Sequence, residues 1–217
     1  MTFSIVARCP QTGDLGIAVS TAIPAVGAIN PFARAQVGAI ATQAWSNPYL
    51  GIDGLSLLAR GLPAAEVLER LLKLNAEREN RQLCIVDARG SVAAFTGKEV
   101  QPWKGHLLGS GYVIAGNLLV SGATIEAMSD AFEAAQGPLA ERLLTALEAG
   151  QAAGGDKRGR VSAALLVVRD EAYPHIDLRV DEHADPVAEL RRIFDIYTAL
   201  PYLDDLHPKR TWELQGE

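Results

Sequence analysis

Extended and helical segments follow one another in blocks along this chain, and the block order limits its possible folds more than any other feature. Strands come first, then two helices, more strands, two further helices, strands again and a last helix. Segregated blocks predict an α+β protein in which helices cover antiparallel sheets, rather than parallel βαβ units. A chain of 217 residues can bury one substantial core, so a single domain is predicted over 1–217, with a C-terminal helix and tail from about residue 186.

The apolar periodicity places individual strands and helices within these blocks. The predicted strands cover 4–9, 15–21, 25–29, 37–44, 82–87, 91–96, 112–117, 161–169 and 175–180. The predicted helices cover 51–60, 63–74, 124–135, 139–149 and 186–199. Small residues dominate the second to fourth of these strands, at Gly16, Ala18, Ala25, Gly27, Gly38, Ala39 and Ala41. Such strands suit either a site that needs close backbone approach or a sheet that is packed tightly on both faces.

Composition and charge exclude several classes of protein. Hydrophobic residues make up 48% of the chain and charged residues 21%, as in a folded globular protein. The net charge of −6 argues against nucleic-acid binding, which needs a basic face. No apolar run is long enough to span a bilayer, and no signal-peptide pattern opens the chain. We therefore expect a cytoplasmic protein with no membrane partner.

The sequence carries no recognisable metal or cofactor motif. The four histidines show no HxxxH or HxH spacing, and no GxGxxG loop or P-loop is present. Cys9 and Cys84 lack CxxC spacing and are interpreted as small buried hydrophobic residues in a reducing compartment. Accordingly, we expect neither a metal nor a cofactor.

Thr2 is the candidate catalytic residue. It becomes the first residue of the chain once Met1 is removed, and it then opens a strand-turn-strand segment. A free N-terminal threonine carries a nucleophile and a base in one residue, because its hydroxyl can attack while its α-amine accepts the proton. The pattern therefore favours an N-terminal nucleophile, although many chains begin with Met-Thr for no catalytic reason.

Polar residues interrupt an apolar strand just before the first predicted helix. Thr42 and Gln43 stand at the end of a strand of small apolar residues, and Asn47 follows in a turn. Amide and hydroxyl groups at such a place can bind a polar substrate or donate to a developing oxyanion. Asn47 equally suits the N-cap of the next helix. For Thr42 and Gln43 a functional site is favoured, whereas both interpretations stay open for Asn47.

A charged, glycine-rich loop leads into an apolar strand at 154–164. It contains Asp156, Arg158 and Arg160, and Ser162 follows inside the strand. An arginine guanidinium there can bind a substrate carboxylate bidentately. The alternatives are a solvated charged turn and a purely structural pair between Asp156 and Arg160. Asn117, at the end of another strand, fits either a turn or a site.

Four segments form an ordered set: 2–8 (TFSIVAR), 41–44 (ATQA), 116–117 (GN) and 153–165 (AGGDKRGRVSAAL). Together they resemble the family known as domain of unknown function 1028, and the similarity runs from Thr2 to about Arg192. The resemblance implies an Ntn-hydrolase-like fold (N-terminal nucleophile hydrolase). In that fold a four-layer αββα sandwich holds two antiparallel sheets between helical layers. The resemblance also implies that Thr2 is the nucleophile.

The chain departs from the family pattern in two places. Family members often carry a lysine in a Gln-Ser-Lys-like run after the second strand, whereas this chain offers Ser20 and Thr21 there. Val161 also stands where the family usually has glutamine. Proteasome-like relatives use an aspartate and a lysine to tune the nucleophile. The α-amine of Thr2 would therefore act largely unaided, with Ser20 and Thr21 as secondary site residues.

These observations predict an amidohydrolase that cleaves a C–N bond of a small polar amide. Amide and hydroxyl groups at the strand ends would polarise the carbonyl, and the arginines of the charged loop would hold a carboxylate. The alternative is a non-catalytic Ntn-like protein that binds a metabolite or a partner. Apolar residues in the final helix and at 200–203 predict a homodimer or a larger homo-oligomer.

Overall fold

The computed structural model describes residues 2–211. Met1, whose removal the Thr2 hypothesis requires, lies outside the described residues, as does the end of the predicted tail at 212–217.

Within the described residues, the strands form two antiparallel sheets. The strands are β1 (Thr2–Arg8), β2 (Leu15–Thr21), β3 (Pro31–Arg34), β4 (Gly38–Ala44), β5 (Arg81–Asp87), β6 (Val92–Thr96), β7 (Lys104–Gly109), β8 (Tyr112–Asn117), β9 (Ser162–Val168) and β10 (Ile176–Val180). One sheet has six strands in the order β10-β9-β2-β1-β8-β7, and the other has four in the order β3-β4-β5-β6. β1 is therefore a central strand of the larger sheet.

Helices cover both outer faces of the sheet pair. They are α1 (Pro48–Ala59), α2 (Ala64–Leu74), α3 (Ala123–Ala134), α4 (Leu139–Ala152) and α5 (Pro186–Thr198). α1 and α2 pack on the four-stranded sheet, whereas α3, α4 and α5 pack on the six-stranded sheet. A further apolar core joins the two sheets face to face. The resulting four-layer αββα order confirms the predicted α+β fold class.

The period-two alternation of β1 sends its side chains into two different layers. Phe3 and Ile5 pack in the core beneath the helices, whereas Val6 packs between the sheets. Ser4 lies on the same face as Val6 and contacts the four-stranded sheet. By this alternation Thr2 also faces the space between the sheets.

The strand predicted over 25–29 is wrong. This segment contains a short 3-10 helix, Val26–Ala28, which the chain enters through Ala25 with a left-handed backbone (φ 56°). The N–H of Val26 donates to Oγ of Ser162 at 3.1 Å, so it finds its partner in a side chain instead of a neighbouring strand. Small residues that fit a strand also fit a tight turn, and local sequence does not distinguish the two.

Two strands carry no clear signal in the sequence. β3 begins with a proline at one edge of its sheet, and β7 alternates between half-buried and exposed residues at the edge of the other. Edge strands tolerate proline and polar residues, so their apolar pattern is weak. The other predicted strands and the five predicted helices are confirmed, with ends that differ by up to three residues.

The surface expected to support a homo-oligomer is present in part. Ile196 of α5 and Tyr202 are both about half exposed. Assembly through this surface stays a prediction.

Candidate functional site

Polar side chains cross the six-stranded sheet in a row at the start of β1. Thr2 pairs with Asn117 of β8, and Thr21 of β2 pairs with Ser162 of β9. The hydroxyl of Thr2 donates a hydrogen bond of 3.3 Å to the hydroxyl of Thr21, which joins the two pairs. Four predicted site residues therefore lie side by side on adjacent strands, and we call them the polar row.

Thr2 is buried in the structure, with 4% of its surface exposed. Among residues 2–211, Thr21 is the one hydrogen-bond partner of its side chain. Lys104 lies opposite Asn117 on β7, one strand further from Thr2. Its ammonium group donates to two backbone carbonyls in the connection between β6 and β7. Lys104 therefore bonds to this connection and not to the side chain of Thr2.

A buried amide network links the two sheets next to the polar row. Oε1 of Gln82 accepts hydrogen bonds from the amide nitrogens of Asn117 and Gln43, both at 2.8 Å. Ser4 in turn donates to Oε1 of Gln43 at 2.8 Å. Because an amide nitrogen has two N–H groups, Asn117 keeps a second donor after its bond to Gln82. The network thus positions Asn117 and leaves it able to bind a ligand.

A cleft of about 470 Å³ opens beside Asn117. Its walls come from the loop after β2, the ends of β4 and β8, and the connection between β6 and β7. The lining residues are Ile23, Ile29, Ala44, Trp45, Ser46, Glu99, Val100, Gln101, Asn117 and Leu118. Most of these walls are apolar, and Glu99 contributes the one charged group among them. The cleft therefore favours uncharged or cationic ligands over anions.

Two non-glycine residues that line the cleft have a left-handed backbone. They are Ala44, with φ of 69°, and Leu118, with φ of 51°. Such conformations cost on the order of 1–3 kcal/mol each and cluster at ligand sites. Trp45, which follows Ala44, leaves 72% of its surface exposed at the rim. Strain and an exposed aromatic ring at the same rim both support a ligand site here.

Asp156 holds the charged loop against the end of β2. Its buried carboxylate accepts hydrogen bonds from the N–H of Ala22 at 3.2 Å and from the guanidinium of Arg158 at 2.9 Å. Arg160 forms an ion pair with Asp185 at 3.2 Å. The suggested pair between Asp156 and Arg160 is therefore wrong. Asp156 pairs within its own turn, and Arg160 turns toward the start of α5.

Ser162 positions a wall of the cleft. Its hydroxyl donates to the carbonyl of Ile23 at 2.6 Å and accepts from the N–H of Val26 at 3.1 Å. Ser20 precedes Thr21 in β2, so its side chain points away from the polar row, to the helix-covered face of the six-stranded sheet. Its hydroxyl donates to the carbonyl of Ser162 at 3.3 Å. Both hydroxyls therefore bond to backbone groups, and Ser162 acts on the cleft through Ile23.

Thr42 and Asn47 lie apart from the polar row, on the side of α1. The hydroxyl of Thr42 accepts from the backbone N–H of Asn47 at 3.3 Å. The side chain of Asn47 in turn accepts from the N–H of Tyr49 and forms the N-cap of α1. The capping role, one of the two left open for Asn47, is the one observed. Of the strand-end residues predicted from sequence, Gln43 and Asn117 meet through Gln82, and Thr42 does not join them.

Two residues of the buried network have little or no signal in the sequence. Gln82 begins the strand predicted over 82–87 and is the second residue of β5. Its place directly before the apolar run at 83–86 is the only hint of its role. Asn30 donates to the carbonyl of Thr42 at 3.1 Å. Its Oδ1 is buried and has no partner among the described residues. Asn30 follows the segment predicted wrongly as a strand, so nothing in the local pattern marks it.

Metal ligands and membrane spans can be judged for residues 2–211. In this range no group of three or more His, Cys, Asp or Glu side chains is arranged to hold a metal ion. No helix in the same range is both long and apolar enough to cross a bilayer. Cys9 and Cys84 are free and buried, as expected.

The sequence matches the family of unknown function DUF1028 over residues 2–190. The chain belongs to the DUF1028 family. A solved DUF1028 structure, protein SPO2555 from Silicibacter pomeroyi, has a TM-score of 0.87 and 33% identity to this chain, and the match covers 94% of this chain and 88% of that one. Membership confirms the resemblance seen in the sequence.

This chain also matches a second solved structure, Anbu (ancestral beta-subunit) from Yersinia bercovieri. Its TM-score is 0.40 at 12% identity, over 92% of this chain and 98% of that one, and a similarity at this level carries no argument about function. No curated protein matches the sequence.

Proposed function

We propose that this protein is an amidohydrolase that cleaves the C–N bond of a small amide with Thr2 as an N-terminal nucleophile. The position of Thr2 carries the proposal. Thr2 begins a central strand of the larger sheet, its hydroxyl lies in the polar row, and its neighbour Asn117 lines the cleft. A substrate amide in the cleft would lie against the same strand ends.

The chemistry would use the two functional groups of a processed Thr2. Its hydroxyl would attack the substrate carbonyl while its α-amine, whose unperturbed pKa is about 7.7–8.0, accepts the hydroxyl proton. The amine would then return that proton to the leaving nitrogen as the C–N bond breaks, which leaves an ester on Thr2. Water would hydrolyse the ester. The hydrogen bond to Thr21 would hold the hydroxyl in place.

Asn117 is the proposed donor to the developing oxyanion. Its side chain is fixed by the bond to Gln82 at 2.8 Å, and its second N–H is the one available to a substrate. A fixed donor at this position would stabilise charge as it forms on the carbonyl oxygen. Asn117 lies directly opposite Thr2 on the neighbouring strand.

The cleft supports an amide with an uncharged, apolar flank. Its walls include Ile23, Val100 and Leu118, with Trp45 at the rim. The arginines considered for binding a carboxylate are engaged by Asp156 and Asp185 and do not line the cleft. A carboxylate clamp is therefore not part of this proposal.

The test compares Thr2→Ser and Thr2→Val on short-chain acyl p-nitroanilides, with the N-terminus of each protein determined by sequencing. We expect the Thr2→Ser variant to keep measurable turnover. The Thr2→Val variant has a side chain of the same shape without a hydroxyl, so its turnover should fall by at least about a thousandfold. Thr198→Val is the matched control, because Thr198 is exposed on α5 and bonds only to helix carbonyls. Full activity of Thr2→Val, or of a protein that retains Met1, would overturn the proposal.

A non-catalytic binding protein is the second candidate. The observation that favours it is the lack, among the described residues, of a charged group bonded to the Thr2 side chain. If the protein is a binding protein, calorimetry should show that the processed chain binds the same amides, and the amides should be recovered unchanged.

A further inference from the structure

A second cavity, of about 670 Å³, lies at the opposite end of β1 from Thr2. Its walls include the hairpin between β1 and β2, the turn between α3 and α4, and three arginines, Arg8, Arg142 and Arg169. We call it the arginine cavity. We propose that it binds a small molecule through a phosphate or carboxylate group.

Positive charge in the arginine cavity exceeds the negative charge that faces it. The carboxylates in its lining belong to Asp14 and Glu133. Asp14 pairs with Arg169 at 3.3 Å, and Glu133 accepts a hydrogen bond of 2.6 Å from a tyrosine hydroxyl. Among the side chains that the structure describes, neither Arg8 nor Arg142 has a carboxylate within 4.0 Å. Arg8 and Arg142 thus take part in no ion pair there, and three guanidinium groups face two carboxylates in the lining.

Both of these guanidinium groups keep buried donors without a partner. Nε of Arg8 and Nε of Arg142 are buried and bond to no described atom. Arg142 is held in place by a bond of 3.1 Å to the carbonyl of Phe132 and by stacking 4.2 Å from the centre of that ring. A guanidinium fixed in this way presents its remaining N–H groups in a rigid fork, which matches the oxygens of a phosphate or carboxylate.

The rest of the lining suits a polar organic anion. Gln11 and Gln136 contribute amide groups, and Ser110 contributes a hydroxyl. The first residue of α4, Leu139, also lines the cavity, and no side chain caps that helix. The positive end of the α4 dipole therefore adds to the attraction for an anion. These groups support a phosphorylated or carboxylated compound that also carries hydroxyl or amide groups.

The experiment titrates the full chain with inorganic phosphate in one arm and with malonate in the other, by calorimetry at constant ionic strength set with chloride. We expect saturable binding in at least one arm, and the stronger arm identifies the preferred oxyanion. Arg8→Gln and Arg142→Gln should each weaken that binding about tenfold or more, because each loses charge-assisted hydrogen bonds. Arg60→Gln is the matched control on the exposed end of α1 and should leave binding unchanged.

Alkylation of Cys9 gives a second readout that does not depend on heats of binding. Cys9 lines the arginine cavity, so the bound anion should slow its modification by iodoacetamide severalfold in the wild-type protein. The same anion should give no protection in Arg8→Gln, whose fold is checked by its unfolding transition. Absence of saturable binding in both arms, undiminished binding in both cavity variants, or an equal loss in Arg60→Gln would overturn the proposal. None of these results bears on Thr2, at the other end of β1.

Discussion

The amide nitrogen of Asn117 donates to Oε1 of Gln82 at 2.8 Å and thereby joins the six-stranded sheet to the four-stranded sheet. The same oxygen accepts from Gln43, and Nε2 of Gln82 lies within 3.0 Å of a threonine hydroxyl and two backbone carbonyls. One buried side chain thus positions Asn117 beside Thr2. The geometry of the candidate site therefore depends on how the two sheets pack, and not only on the loops at its rim.

Replacement of Gln82 should weaken the whole fold. Gln82→Leu keeps a similar volume but leaves the amides of Asn117 and Gln43 without their shared acceptor. Buried polar groups without partners cost about 1–3 kcal/mol each, so we expect the free energy of unfolding to fall by about 2–4 kcal/mol. Urea denaturation measures the change. The same substitution at exposed Gln136 should have little effect, and equal losses at both positions would contradict the role assigned to Gln82.

Loss of the Ser162 hydroxyl should loosen one wall of the cleft. Ser162→Ala leaves the carbonyl of Ile23 and the N–H of Val26 without their side-chain partner, which should cost about 1–3 kcal/mol. Hydrogen exchange should quicken at Val26 more than in the strands. Ser56→Ala is the control, because the Ser56 hydroxyl also bonds to a backbone carbonyl but is exposed on α1. Unchanged exchange at Val26 would show that the loop does not depend on Ser162.

Much of the fold follows from the sequence because its signals are local. The turn before Asp14 and the apolar face along α2 predict their elements directly. The segment at 25–29 could not be predicted, because its conformation depends on Ser162, which lies far away in the chain. Arg160 likewise forms its ion pair with Asp185, which is distant in the sequence, and not with Asp156, which is nearer along the chain. Side-chain pairing across the fold decides these cases, and no local pattern reports it.

In the candidate site, too, some residues could be predicted from local sequence, and others depend on how distant parts of the chain pack. Thr2, Asn117 and Ser162 could be found from sequence, since each is a polar residue at the end of an apolar strand. Gln82 could not be assigned a role, because the role arises only when the two sheets face each other. The cleft itself depends on the left-handed backbone of Ala44 and Leu118. Alanine and leucine rarely adopt a left-handed backbone, so neither residue type predicts this conformation.

The two cysteines should differ sharply toward alkylating reagents. Burial alone raises the pKa of the Cys9 thiol, but hydrogen bonds from the side chain and backbone of Thr12 and from the backbone of Gln11 outweigh it, and the pKa is lowered overall. Burial raises the pKa of Cys84 with nothing to offset it. Since the thiolate is the reactive form, iodoacetamide should modify Cys9 in the folded protein and Cys84 only after unfolding. Peptide mass spectrometry identifies which cysteine is alkylated. Alkylation of Cys84 in the folded Cys9→Ser variant would contradict this prediction.

The ion pairs between Arg191 and α4 should make stability depend on pH. Arg191 donates two bonds, of 2.7 and 3.0 Å, to Glu148 and one of 2.8 Å to Glu141. The bond from Arg191 holds the pKa of Glu141 below its ordinary value. A carboxylate whose pKa is lowered by folding stabilises the protein above its unfolded pKa, about 4.3 for glutamate, and this stabilisation is lost as the pH falls through the lowered value.

Arg191→Gln should therefore reduce the free energy of unfolding by about 1 kcal/mol at pH 7, the upper range for partly exposed pairs. The difference from the wild-type protein should shrink as the pH falls below the ordinary glutamate pKa of about 4.3, and it should be smallest below the lowered pKa of Glu141, where this residue is protonated in both proteins. Urea unfolding at pH 7 and at lower pH measures the two differences, with Arg60→Gln as a control that removes the same charge from an exposed position. A difference that stays constant from pH 7 into the acid range would mean that Arg191 stabilises α5 through packing and not through its carboxylate partners.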